Sequence, residues 1–250
     1  MAGNVAKNNA FNNYIDMMNN MLDSPSEKLS EFQVAQLKKE ANKLEKPYSF
    51  SCLAALYSNI GNDRETIKYA SATLNYRDLK TTYNALASLF NIKEFKVICD
   101  LYLDNKWIDN YNNLLNLCIK SSIYSINIEV FDMINKNINV NDSEIKEDLY
   151  NFNNVAEYIN SFEEPSKLKE YITYAYKFIF KKIKIQNELQ LICEELADEN
   201  NEFLSIKFHI RNIKMDDAID MELDLQEHLS LYHDSFIVKN ALSFQIEGEM

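Results

Sequence analysis

PYSFSCLAALYSNIGNDRETIKYASATLNYRD, residues 47–78, contains two short apolar-periodic segments parted by a turn signal. From Tyr48 to Ile60 apolar residues return at intervals of three and four, the period of one helix face. Gly61-Asn62-Asp63 then offers a residue free to turn left-handed and side chains suited to capping, and Arg64 to Asn75 resumes the helical period. With so few residues between them, the two helices must lie antiparallel.

The same grammar extends outward from this hairpin. Asp78 is placed to cap a helix reaching Phe90, and Lys93 to Leu103, Ile108 to Lys120 and Ile126 to Asn137 read as further short helices. Toward the N-terminus, Phe11, Tyr14/Ile15, Met18 and Met21/Leu22 form one apolar stripe over residues 5–22. Ser24-Pro25-Ser26-Glu27 has the form of a capping box with proline at the first helical position. It predicts a helix whose buried face is Val34, Leu37, Ala41 and Leu44 and which Lys46-Pro47 stops.

Residues 47–80 resemble a tetratricopeptide repeat. Phe50, Leu53, Ala54, Tyr57, Ile60 and Gly61 stand where that family places its first-helix aromatic, leucine, small residue, second aromatic and turn glycine, and Ile67, Ala70 and Leu74 continue the pattern. A second copy carries Tyr83, Leu86, Ala87, Phe90, Phe95 and Ile98, and a third Tyr111, Leu114, Leu115 and Cys118. The resemblance covers about residues 47–137; the turn glycine is missing from copies two and three, and no copy ends in the family's proline. Large, small and large apolar positions at helical spacing also suit an unrelated array of helical hairpins. The resemblance implies a concave groove lined by first helices and holding an extended peptide. Its inward positions here are Tyr48, Ser51, Ala55 and Ser58, then Thr81, Asn84, Ser88 and Asn91, then Asp109, Asn112 and Asn116. Side-chain amides both donate and accept, so a row of asparagines grips peptide backbone whatever its sequence. The basic residues with which some relatives clamp a terminal carboxylate are absent from these positions.

Asn139, Asn141 and Asp142 mark a break, after which Ser143 to Phe152 and Asn153 to Phe162 read as short helices. Leu168, Ile172, Ala175, Ile179 and Ile183 then make the strongest helical stripe, widened by Tyr171, Phe178 and Phe180, with Pro165 suited to the first turn and lysines to the last. Residues 186–198 read as a continuing helix until Asn200-Asn201. Phe203 to Ile213 changes period: Leu204, Ile206, Phe208 and Ile210 alternate with polar neighbours, and Phe236 to Ile246 reads as a second strand. Between them, Ile219, Met221, Leu223 and Leu225 alternate, while Ala218, Met221, Leu225, Leu229 and Tyr232 fit a helix; length and Met/Glu/Leu/Gln content favour the helix. The expected fold is therefore mainly α, an antiparallel helix-hairpin array with a small α+β C-terminal module. It divides into a repeat-like body (1–140), a helical continuation with a long aromatic-rich helix (141–202) and a strand–helix–strand module (203–250). Two strands alone are marginal in water, so this sheet must pack on the helices or find further strands in a partner or second copy.

Charge and composition bound the chemistry. Residues 1–140 carry 15 basic and 15 acidic side chains, so the net −12 comes wholly from the second half, as −7 over 141–202 and −5 over 203–250. That balance disfavours nucleic acid and suits a basic protein partner. No run is apolar enough for a transmembrane helix and the N-terminus lacks a secretory pattern. Cys52, Cys99, Cys118 and Cys193 are scattered in apolar helical patterns, as buried free thiols of a reducing compartment would be, so a cytoplasmic location is expected. Three glycines allow no phosphate loop. His228 and His233 are five residues apart and do not share a helix face, His209 falls on the polar side of its strand, and neighbouring carboxylate pairs diverge on a helix. No catalytic or metal site and no cofactor is expected. The reading is a non-enzymatic adaptor whose groove holds a partner protein or peptide. Its rivals are a structural subunit of an obligate complex, homo- or hetero-oligomeric through residues 203–250, and an enzyme with a dispersed site.

Overall fold

The hairpin at its origin forms as the spacing predicts. α3 (Tyr48–Asn59) and α4 (Asp63–Leu74) flank Gly61, whose φ of 72° lies in the left-handed region that glycine adopts without penalty. Two backbone bonds close the turn: Gly61 N–H donates to the Ser58 carbonyl at 3.3 Å and Asn62 N–H to that of Tyr57 at 2.9 Å. Asn62 then caps α4 by accepting from Glu65 N–H at 3.2 Å. The computed structural model describes residues 2–22, 29–136, 143–183, 189–198, 201–232 and 242–249.

The same turn returns where no glycine is present. α5 (Leu79–Asn91) and α6 (Phe95–Asp104) meet at Lys93 (φ 64°), and α7 (Asn112–Tyr124) and α8 (Ile128–Asn135) at Ile126 (φ 51°). Lys93 N–H donates to Phe90 and Glu94 N–H to Leu89; Ile126 N–H donates to Ile123 and Asn127 N–H to Ser122. The left-handed residues closed by this pair of bonds are thus 32 and 33 positions apart, at 61, 93 and 126, and a fourth, Arg77 (φ 52°), stands between α4 and α5. A side chain at such a φ costs roughly 1–2 kcal/mol, so the surrounding packing must impose the turn at Lys93 and Ile126.

Two compact units make up the chain, Met1–Ser121 and Ser122–Met250. In the first, α3 packs on α4 and both touch α5. Aromatic rings join α3 to α4: Tyr57 and Tyr69 stack with planes 1° apart, and Phe50 lies 5.8 Å from Tyr69 and 6.2 Å from Tyr76. The expected stripe of α1 (Ala2–Leu22) is buried, Phe11, Tyr14 and Met18 lying in one core with Leu37 and Ala41 of α2 (Glu31–Ala41) and Cys52, Leu53, Leu56 and Tyr57 of α3. The Ser24–Glu27 capping box falls outside the described residues. Within them, α2 starts at Glu31 under a capping box of Ser30 and Gln33, in which Ser30 N–H donates to Gln33 Oε1 at 2.8 Å. The helix expected from Ile108 begins later, because Lys106–Asn110 is a 3-10 turn and Asn112 opens α7.

The second unit combines helices with a small sheet. A single α9 (Ser143–Ser161) replaces the two short helices expected there, and α10 (Pro165–Lys182) begins at its proline and ends on Lys181 and Lys182. Residues 189–198, expected as helix, are a strand: β1 (Leu189–Asp198) pairs antiparallel with β2 (Asn201–Lys214), Asp198 opposite Asn201. Glu- and Leu-rich composition favours helix locally, and the ladder offered by β2 overrides it. β2, α11 (Met215–Ser230) and β3 (Leu242–Glu249) make the expected strand–helix–strand, with β3 parallel to β2 and the order β1-β2-β3. The sheet buries Ile206, Phe208, Ile210, Leu242, Phe244 and Ile246. α10 lays its aromatic face there, Tyr176 at 5.2 Å from Phe208 and Tyr171 at 5.8 Å from Phe244. Gly248 matters for a different reason from Gly61: a Cβ there would stand 3.0 Å from that of Ala218, so this small pair lets α11 approach β3. Cys52, Cys99 and Cys118 are buried free thiols, and burial pushes those of Cys52 and Cys118 far above the ordinary value. Among the described residues no helix is long and apolar enough to cross a membrane.

Gly61→Ala adds a methyl group into open space, so its whole effect is the backbone. Stability of the first unit should fall by about 1 kcal/mol, whereas Lys93→Gly should raise it by about 0.5–1 kcal/mol. Urea midpoints of the two variants moving in opposite directions would carry this, and a shared direction would reject it.

Candidate functional site

The outward arcs of α3 and α5 decide what the first unit presents to another molecule. On α3 Tyr48 and Ala55 are partly exposed, as is Phe50 to one side, and exposed Asn59 follows Ala55 one turn later; on α5 Asn84, Ala87 and Asn91 are partly exposed, with Phe90 beside them. Both rows repeat at intervals of three, four or seven, which keeps them on one helix face. Tyr48 also packs its ring 5.3 Å from Phe11, so its position is fixed from behind.

Of the eight groove residues expected on α3 and α5, four turn inward. Ser51, Ser58, Thr81 and Ser88 are buried, and three of their hydroxyls are occupied locally. Ser58 Oγ donates to the Ala55 carbonyl at 2.9 Å, Ser88 Oγ to that of Asn84 at 2.7 Å, and Thr81 Oγ1 to the Asp78 carboxylate at 2.9 Å. Ser51 Oγ has no hydrogen-bond partner. The correction is geometric: steps of three and seven span an arc of about 80°, and only one side of it reaches solvent. Small hydroxyl residues occupy the other side, where helices approach closely. In the third copy Asp109 lies in the 3-10 turn and accepts from Tyr102 Oη at 2.8 Å; Asn112 is exposed at the first residue of α7, and Asn116 is partly exposed.

The outward face of α5 is less polar than expected. Leu79 and Tyr83 are 42% and 43% exposed beside Asn84, and Phe90 and Ala87 are partly exposed. Tyr83 and Ala87 matched packing positions of the resembled repeat, so sequence alone gave no sign of their exposure. What α3 and α5 offer together is an apolar surface interrupted by amides, suited to burying side chains while bonding a backbone.

In the second unit the edge of the sheet bears on assembly. Glu222 and Gln226, one turn apart on α11, bond the backbone of β3: Ile246 N–H donates to Glu222 Oε2 at 2.7 Å, and Gln226 Nε2 donates to the Phe244 carbonyl at 3.1 Å. Residues 244 and 246 therefore direct their main-chain groups away from β2 and into side chains, which blocks strand addition along that part of the edge. His209 stands 3.9 Å from Glu247 on the face opposite Phe208 and is partly covered rather than exposed. His228 is stacked between Tyr174 at 4.1 Å and Phe178 at 4.8 Å, and Tyr174 Oη donates to its carbonyl at 3.3 Å. Burial first, and then the charge of Lys181, hold its pKa below the ordinary 6.5. Among the described residues no group of three or more His, Cys, Asp or Glu is placed to hold a metal ion; His233 lies outside them.

No protein-family model matches the chain, and neither curated proteins nor solved structures return a match.

Removing both edge caps, Glu222→Ala with Gln226→Ala, should cost roughly 1–3 kcal/mol and raise the light scattered by concentrated protein as the freed edge pairs with others. Since the unfolded chain protonates His228 before the folded one does, stability should fall as pH drops from about 7 to 5. His228→Gln should flatten that part of a thermal-midpoint profile, and parallel wild-type and variant profiles would show that the histidine does not contribute.

Proposed function

We propose that the chain is a non-enzymatic adaptor that holds an extended peptide segment of a partner protein against the outward faces of α3 and α5. The observation that carries this reading is the recurrence of one hairpin turn at 61, 93 and 126, two of the three without glycine. An array of like hairpins sets successive first helices side by side, and α3 touching α5 is in keeping with that arrangement. The tetratricopeptide-like pattern belongs to the same proposal. The contacting residues are Tyr48, Ala55, Asn59, Tyr83, Asn84, Ala87 and Asn91, with Asn112 and Asn116 as the amides of the third copy. Asn84 and Asn91 bond the peptide backbone, and Tyr48, Tyr83 and Ala87 cover its side chains. A reducing, cytoplasmic setting accords with the buried free thiols.

Peptides selected on the purified chain from a display library give the test. Hydrogen exchange on adding a selected peptide should slow in α3 and α5, and Asn84→Ala with Asn91→Ala should weaken binding about tenfold or more, roughly 1.4 kcal/mol. Protection confined to residues 122–250, or binding unaltered by the double substitution, would remove the groove.

A further inference from the structure

Met215, Ile219 and Leu223 succeed one another every four residues along α11 and are 48%, 49% and 64% exposed. The inward face of this helix is Ala218, Leu225 and Leu229, all buried, so the exposed row stands about 100° around the helix from the buried one. This second row is also what makes residues 216–232 alternate like a strand. A helix needs one apolar face to dock on its own domain. Scattered apolar residues at a surface are ordinary, but three aligned over two turns form a continuous strip that stays half exposed in the fold of the described residues.

Carboxylates flank the strip. α11 carries Asp216, Asp217, Asp220, Glu222, Asp224 and Glu227, with His228 as its sole basic residue type and no lysine or arginine. Four of the six have a role within the fold. Asp216 and Asp217 lie in the first turn, where the helix dipole favours negative charge. Glu222 holds Ile246 N–H, and Asp224 pairs with Lys182 at 2.8 Å. Asp220 and Glu227 make no ion pair among the described residues, and both lie beside the strip on the side away from β3.

We infer that this strip is the docking face for a basic amphipathic helix of a partner protein. Its apolar side chains cover Met215, Ile219 and Leu223, and its lysines or arginines meet Asp220 and Glu227. Charge selects this occupant. A second copy would bring six carboxylates against six with no lysine or arginine from either α11, and an anionic lipid surface would be repelled likewise. The site lies in the second unit, independent of the α3–α5 surface, so either can fail without the other.

Two synthetic helical peptides test the inference, both with leucines every third or fourth residue, one flanked by lysines and the other by glutamates. Titrated calorimetrically into the full chain, the lysine peptide should bind and the glutamate peptide should not. Ile219→Ser with Leu223→Ser should weaken binding by roughly tenfold or more, and Asp220→Lys with Glu227→Lys should weaken it and flatten its salt dependence. Because Ile219 and Leu223 are half exposed, the serine variant keeps its fold, checked by an unchanged thermal midpoint; Leu223→Ser alone serves as a milder control. Asn84→Ala with Asn91→Ala should leave the lysine peptide's affinity unchanged. Failure to bind the lysine peptide, equal binding of both peptides, or equal binding by the serine variant would overturn the proposal. So would a wild-type dimer that the serine substitutions dissolve, since a second copy would then be the occupant.

Discussion

The first unit depends on one backbone constraint, a single left-handed residue that reverses the chain after a helix and satisfies two otherwise orphaned carbonyls. At Gly61 the conformation is free of side-chain conflict; at Lys93 it is not, yet the same pair of bonds closes the turn. An exposed loop with freedom to relax would abandon a strained φ, so its persistence reports how firmly the flanking helices hold their places. Phe90 against Phe95, with rings 5.0 Å apart across the turn, is one of the contacts that fixes them. Once the turn is set, neither helix can rotate independently, and which residues face solvent is decided for both.

A different constraint governs the second unit. A small sheet needs its apolar face covered, and α10 covers it with Tyr171 against Phe244 and Tyr176 against Phe208. α11 is a packing element and an edge guard at once: Ala218 meets Gly248, while Glu222 and Gln226 occupy the outward main-chain groups of β3. A charged carboxylate accepting from a backbone N–H is a strong bond, and its presence at the edge trades open-ended strand pairing for a closed surface. That part of the edge is thereby closed to a further strand.

The two surfaces differ in chemistry. α3 and α5 offer amides among apolar side chains on a part of the chain with no net charge, which suits sequence-tolerant contact with a peptide backbone. α11 offers an apolar strip between carboxylates in the half that carries all the net charge, which suits attraction at a distance followed by burial.

Much of the fold could be read from residues alone. The α1 stripe of Phe11, Tyr14 and Met18, the Asp78 and Asn62 caps, the Gly61 turn and the Pro165 start rest on local periodicity and local hydrogen bonding, which a linear sequence contains in full. Residues 189–198 could not be read correctly, because a Glu- and Leu-rich segment becomes a strand only when β2 is there to pair with it. Nor could the burial of Ser51, Ser58, Thr81 and Ser88 or the exposure of Tyr83, since a helix face is assigned to core or solvent by neighbours distant along the chain. The amide positions Asn84 and Asn91 were legible and partly exposed; the strip on α11 was visible only as an ambiguity of period. Sequence by itself determined the turn at Gly61, the caps at Asn62 and Asp78 and the helix start at Pro165, because those events are local. Tertiary structure alone decided which side of α3 and α5 faces solvent and that residues 189–198 pair as a strand, because burial and pairing are relations between segments and not a property of either.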